Sequence, residues 1–243
     1  MNKLLSSAYL KSALVLMVTV FLFSCAQHSD SGQTQNSADA KKRTAVEQKT
    51  VSAEAAANGI NSDTLKIADL PAAITYQGKP VKIVGWKDKS GDNILLLTET
   101  GEFPSKDVQE YPDNRDAELH VYHYTKSGNS WQEIVSVNDQ ISSCPVDIVT
   151  SFIPGAFFIT DLDGNGIAEC TFAYRLTCTG GVDNKVMKLI MLENKKKYVI
   201  RGTTTVNMGE KIPGTMKYEV GIPERFKVFM IEKWKAFETE NYQ

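Results

Sequence analysis

Asp161, Asp163, Asn165 and Glu169 place four oxygen-bearing side chains within the nine residues Asp161-Leu162-Asp163-Gly164-Asn165-Gly166-Ile167-Ala168-Glu169. Counted from Asp161 they occupy positions one, three, five and nine, with glycine at four and six. Ca2+ takes about six to eight hard oxygen ligands, so closely spaced carboxylates and an amide suit it. The main-chain carbonyl of Ile167 would supply the ligand of position seven. Glycine lets a short loop adopt the left-handed backbone that wraps an ion. An EF-hand would carry glutamate at position twelve, where Phe172 stands. The simpler use of Asn165-Gly166 is a hairpin turn that binds nothing, but four oxygens in register exceed what a turn requires. The expected ligands are therefore Asp161, Asp163, Asn165, the Ile167 carbonyl and Glu169, and the expected ion is a structural Ca2+.

Other chemistry is poorly supported. There is no G-x-S-x-G elbow, Walker loop or H-E-x-x-H. Asp147, Glu118 and Asp183 are acidic, but no spacing singles out a pair for glycoside cleavage. Cys144 precedes Pro145 with no histidine beside it to act as base. No nucleophile–base set can be named, so no catalytic residues are assigned and a non-enzymatic role is favoured over a glycan-processing hydrolase or transferase. His120 and His123 lie three apart in a strand-like run, which points them to opposite faces and rules out a shared metal. Trp86, Trp131 and Tyr122 on one exposed face would make a glycan platform; core packing is their ordinary use.

The flanks of the acidic loop, Gly155–Thr160 and Cys170–Leu176, are rich in aromatic and β-branched residues and read as strands. Three more hairpins are expected: Val81–Trp86 with Asn93–Thr98, Glu118–Tyr124 with Trp131–Val137, and Lys185–Leu192 with Lys197–Arg201. Glu99–Asp116, with Pro104 and Pro112, reads as a polar loop. Four hairpins imply a mainly β, antiparallel domain, either a sandwich or a curved sheet; residues 67–243 are too few for a full propeller. Phe226, Phe229, Met230, Trp234 and Phe237 recur at steps of three and four, predicting an amphipathic helix over 223–239 that covers an open sheet face.

The N-terminus carries an address. Residues 1–24 hold only Lys3 and Lys11 as charges, and Ser12–Phe23 is nearly all apolar, as in a secretion signal. Leu22-Phe23-Ser24-Cys25 resembles a bacterial lipobox, which implies cleavage before Cys25 and attachment of a lipid such as palmitate there. Ala26 follows, which favours the outer membrane over inner-membrane retention. Residues 25–66 lack aromatics and are rich in polar side chains, so they read as a disordered tether. Without the leader, the chain has 25 basic and 29 acidic side chains, a net of −4 that gives no footprint for nucleic acid. The membrane, reached through the lipid, is the one partner the chain itself announces.

Export places Cys144, Cys170 and Cys178 in an oxidising compartment. Cys170 and Cys178 lie on one extended strand, out of bonding range of each other. Folding the hairpin about Gly164-Asn165-Gly166 sets Cys178 near Phe152, a short segment from Cys144. Cys144–Cys178 is the favoured pair, with Cys170 left as a buried thiol.

Two resemblances add to these readings. The strand–acidic loop–strand unit resembles the calcium loops of FG-GAP and integrin-type repeats. Cys144-Pro-Val-Asp147, Thr160–Glu169, Tyr174-Arg-Leu-Thr-Cys178, Lys188-Leu-Ile-Met191 and Lys197–Gly202 together resemble a family of exported bacterial proteins, frequent in Bacteroidota, associated with surface polysaccharide biosynthesis. That resemblance implies an accessory role in making or presenting lipopolysaccharide or capsule, with envelope polysaccharide or its assembly proteins as partners. It implies no reaction and no catalytic residues.

Overall fold

The computed structural model describes residues 60–106 and 113–242. The leader, Cys25 and the tether up to residue 59 lie outside the described residues. The fold is mostly β, with antiparallel sheets and one C-terminal helix.

The first sheet contains β1 (Ser62–Thr64), β2 (Lys79–Asp88), β3 (Gly91–Pro104), β4 (Arg115–Ser127) and β5 (Ser130–Cys144), neighbours in that order. The second contains β6 (Asp147–Thr160), β7 (Glu169–Thr179), β8 (Val186–Glu193) and β9 (Lys196–Thr203). A small sheet follows, made of β10 (Thr205–Asn207) and β11 (Lys211–Ile212). Next, β12 (Thr215–Tyr218) returns to the edge of the second sheet, whose order is β12-β9-β8-β7-β6. Helix α1 (Glu224–Phe237) leads into β13 (Thr239–Asn241), which joins β10 in parallel.

All four expected hairpins form, and the two large sheets pack face to face, which decides for a sandwich. Leu95, Leu97, Leu119 and Val121 of the first sheet meet Cys170, Phe172, Tyr174, Ile190 and Leu192 of the second. The outer faces are covered too, that of the first sheet only in part. Met187, Leu189, Met191 and Ile200 pack under Phe226, Phe229, Met230 and Trp234 of α1. Ile83, Ile94, Leu96 and Tyr124 pack under Ile74 and the segment before β2. Strands covered on both sides have no solvent face, so Ile94-Leu95-Leu96-Leu97 is a continuous apolar run rather than an alternation. Trp86 belongs to the inter-sheet core, while Tyr122 and Trp131 pack on the outer layer; the three do not form a common platform.

Three boundaries differ from expectation. Residues 62–64, read as tether, form a strand on β2. All three side chains are exposed, so the segment is held by backbone pairing, which leaves no hydrophobic pattern to read. Much of the expected polar loop at 99–116 extends the β3–β4 hairpin, with Glu102 opposite Ala117 and Pro104 opposite Arg115. Cys178 faces Ile148 rather than Phe152, because the register shifts between Phe152 and Phe157 and inserts residues into β6. The disulfide nonetheless joins Cys144 and Cys178, with Cα atoms 5.8 Å apart, and Cys170 is a free buried thiol.

His120 and His123 do point apart. His123 is 3% exposed, lies 5.0 Å from the Trp86 ring, and places Nε2 3.1 Å from Asn93 Oδ1. Burial drops its pKa to about 4, against the opposing pull of Asp88. The folded protein therefore keeps His123 neutral where the unfolded chain takes up a proton, so stability is lost as pH falls from about 6.5 through 4. His123 alone should cost about 3 kcal/mol across that window. Unfolding free energies from urea titrations at pH 7 and pH 4 should differ by about 3 kcal/mol less in His123→Gln than in wild type.

Candidate metal centre in the Asp161–Glu169 loop

Thr160 ends β6 and Glu169 begins β7. The eight residues between them form a curled loop rather than a two-residue turn. Gly164 and Gly166 take left-handed φ of 72° and 83°, which a side chain would strain. Three side chains then bend the loop by accepting its own N–H groups. Gly166 N–H donates to Asp161 Oδ2 at 3.1 Å, Asn165 N–H to Asp163 Oδ1 at 3.1 Å, and Ile167 N–H to Asn165 Oδ1 at 2.6 Å.

Glu169 closes the loop from below. It is 0% exposed, and its Oε2 accepts the Thr160 hydroxyl at 2.9 Å and Leu162 N–H at 2.8 Å. Its other oxygen, Oε1, is buried with no partner, and so is Asp161 Oδ1. A buried carboxylate oxygen without a partner is costly unless a proton or a cation reaches it. Asp161, Asp163 and Glu169 each offer one oxygen, and these lie within 4.8 Å of one another. Burial first, then the nearby Asp163 and Asp161, push the Glu169 carboxyl up to about 7 despite its two hydrogen bonds.

The expected ligands are thus brought together unequally. The three carboxylates converge. Asn165 enters differently: its amide N–H groups donate to Asp163 Oδ2 at 2.9 Å and to Glu193 Oε1 at 2.7 Å, while its oxygen serves Ile167 N–H. Ile167 takes part through that N–H. Glu193, which sequence reasoning missed, stands directly opposite Glu169 on β8 and is nearly buried. Only strand pairing puts it there; nothing in Leu192-Glu193-Asn194 marks it.

Two other elements hold the loop in place. Lys89, in the β2–β3 turn, donates its N–H to Gly166 O at 2.8 Å and its ammonium to Asn165 O. Asp88 Oδ2 accepts Ala168 N–H at 3.0 Å and Trp86 Nε1–H at 2.9 Å, and Oδ1 accepts Ser90 N–H at 2.7 Å. Burial would raise the Asp88 pKa, but these hydrogen bonds outweigh it and hold the carboxyl below its usual value. From the other side, Arg225 of α1 donates to Leu162 O. The loop is where both sheets and the helix meet.

Elsewhere the catalytic candidates do not assemble. Cys144 is consumed by the disulfide, Asp183 accepts a hydrogen bond from Thr179, and Asp147 is exposed at the start of β6. Comparison with known proteins finds no family model, no curated protein and no solved structure that matches the chain.

The raised Glu169 pKa carries a sign. With no ion bound, folding retains a proton on Glu169 that the unfolded chain has released, so stability falls as pH rises from about 4.5 through 7. Glu169→Gln mimics the protonated form and places an amide N–H group where Oε1 lacked a partner. In chelator, the Tm of Glu169→Gln relative to wild type should climb between pH 5 and pH 8, because the His123 contribution is common to both, and the variant should exceed wild type at pH 8.

Proposed function

We propose that this protein is a lipid-anchored envelope lipoprotein whose β-sandwich is stabilised by Ca2+, with a non-enzymatic accessory role in surface polysaccharide biosynthesis or presentation. The observation that carries the calcium reading is the pair of buried oxygens without partners among the described residues, Asp161 Oδ1 and Glu169 Oε1, on two of the three carboxylates that bring an oxygen each within 4.8 Å of one another. A divalent cation would satisfy both at once. Three carboxylates with Glu193 behind them favour a hard, doubly charged ion, and oxygen-only donors favour Ca2+ over zinc. A turn of the Asn165 amide would add its oxygen, and the Ile167 carbonyl and water would fill the remaining positions.

On this reading the ion is structural. Bound Ca2+ removes the cost of ionising Glu169 and fixes a loop that touches both sheets and the helix, so stability becomes linked to external calcium. The membrane anchor rests on the lipobox-like Leu22-Phe23-Ser24-Cys25, the outer membrane on Ala26, and the polysaccharide role on the resemblance of the Cys144–Gly202 block to exported polysaccharide biosynthesis proteins.

Thermal unfolding of the purified protein tests the calcium reading. Calcium at a hundred times its Kd should raise Tm by roughly 5–10 °C over chelator. Asp163→Ala should abolish the rise; equal melting with calcium and chelator would reduce the loop to a connection. In a cell fractionation, Cys25→Ser should release the protein from the membrane pellet, and retention there would refute the lipid anchor.

A further inference from the structure

A second cluster of ligating side chains lies on the outer face of the first sheet. A concavity of about 140 Å3 is lined by Glu118, His120, Asn138, Asp139 and Gln140. In the β4–β5 ladder His120 faces Asn138 and Glu118 faces Gln140. Strand side chains alternate, so these four share one face, opposite to that of Leu119 and Val121 in the inter-sheet core. His120 is 5% exposed.

The hydrogen-bond arithmetic of His120 does not close within the chain. Its Nδ1 lies 3.0 Å from Asn138 Oδ1. An amide oxygen only accepts, so Nδ1 carries the hydrogen and Nε2 presents a lone pair. That Nε2 is buried and without a hydrogen-bond partner, although Glu118 Oε2 stands 3.2 Å away. At that range an N–H aimed at the carboxylate would count as a bond; the oxygen lies off the ring-nitrogen axis. Two ligands of one ion have this relation, because each aims at the ion and not at the other. With each donor about 2.0–2.2 Å from a metal, an imidazole nitrogen and a carboxylate oxygen stand about 3 Å apart.

We propose that His120 Nε2 and Glu118 Oε2 hold a zinc-class divalent cation. The mixed nitrogen–oxygen donor set suits such an ion and not the calcium favoured by the Asp161–Glu169 loop. Asn138 is a positioning residue: it accepts from Nδ1–H and so fixes the tautomer that turns Nε2 to the metal. Gln140, opposite Glu118, brings an amide oxygen to the rim. The concavity exceeds what a single water needs, which leaves space beside the two side chains for solvent ligands.

The test is calorimetric titration of the purified, calcium-saturated chain with zinc chloride, repeated with cobalt(II) to read its visible absorption. One zinc per chain is expected, with a cobalt spectrum showing a nitrogen ligand. His120→Ala should lose both. Glu118→Gln and Asn138→Ala should weaken binding by roughly tenfold or more. All three should keep their far-ultraviolet dichroism and their response to calcium. His28 is present in every variant, so any contribution from it cancels. Failure of wild type to take up zinc, or unchanged uptake by His120→Ala, overturns the proposal. If His120→Ala does not fold, the imidazole resonances of wild-type His120 decide: a shift on adding zinc supports the site, and no change refutes it.

Discussion

Glu169 is a carboxylate buried at the start of a central strand, and its surroundings are built to use it. One oxygen ties the end of β6 to the loop through Thr160 and Leu162; the other has no partner among the described residues. A buried ionised group is tolerated only when it is neutralised or paired. The nearest charges, Asp161 and Asp163, worsen its position, since both push its pKa up. The protein thus folds around a charge conflict that a proton or a divalent cation resolves.

The position of that conflict in the fold gives it reach. Asp88 and Lys89 bring the β2–β3 turn of the first sheet onto Gly166 and Ala168, and Arg225 brings the helix onto Leu162. Behind Asp88 a polar chain runs through Asn93, whose amide donates to Asp88 while its oxygen meets His123 and Thr125. These groups are paired with one another at the edge of an apolar sandwich, so the loop and the β2–β3 turn share one hydrogen-bonded network. At the far end of β7 the Cys144–Cys178 bridge performs a matching task, clamping the strand that leaves the first sheet to the strand that leaves the loop. Loop and disulfide pin β7 at its two ends.

Packing on both faces of the second sheet explains why its middle strands are so apolar. Phe172, Tyr174, Ile190 and Leu192 look toward the first sheet, while Ala173, Met187, Leu189 and Met191 look toward α1. Cys170 fits the same pattern as a small apolar side chain, and burial holds its thiol protonated. The helix is therefore the lid on the second sheet, its apolar stripe matched to a face that would otherwise meet water.

Local periodicity carries far in this protein. Short polar turns between β-rich runs, three of the four containing glycine, announced the four long hairpins, and the three- and four-residue steps from Phe226 to Phe237 announced the helix, because both signals arise from side chains within a few residues of each other. The acidic loop was legible for the same reason: its oxygens are consecutive in the chain. What lay beyond reach was set by pairing across distance. The polar strand at Ser62–Thr64 exists because β2 offers it backbone partners, and the extra residues in β6 moved Cys178 to Ile148 without any mark in the chain. Glu193 and Lys89 reached the loop only through strand register and sheet packing. The amino-acid sequence by itself determined the four long hairpins, the helix and which oxygens the loop carries, because these depend on neighbours in the chain. Tertiary structure alone decided which oxygens were left buried without partners, because that depends on what every other segment brings to the same point.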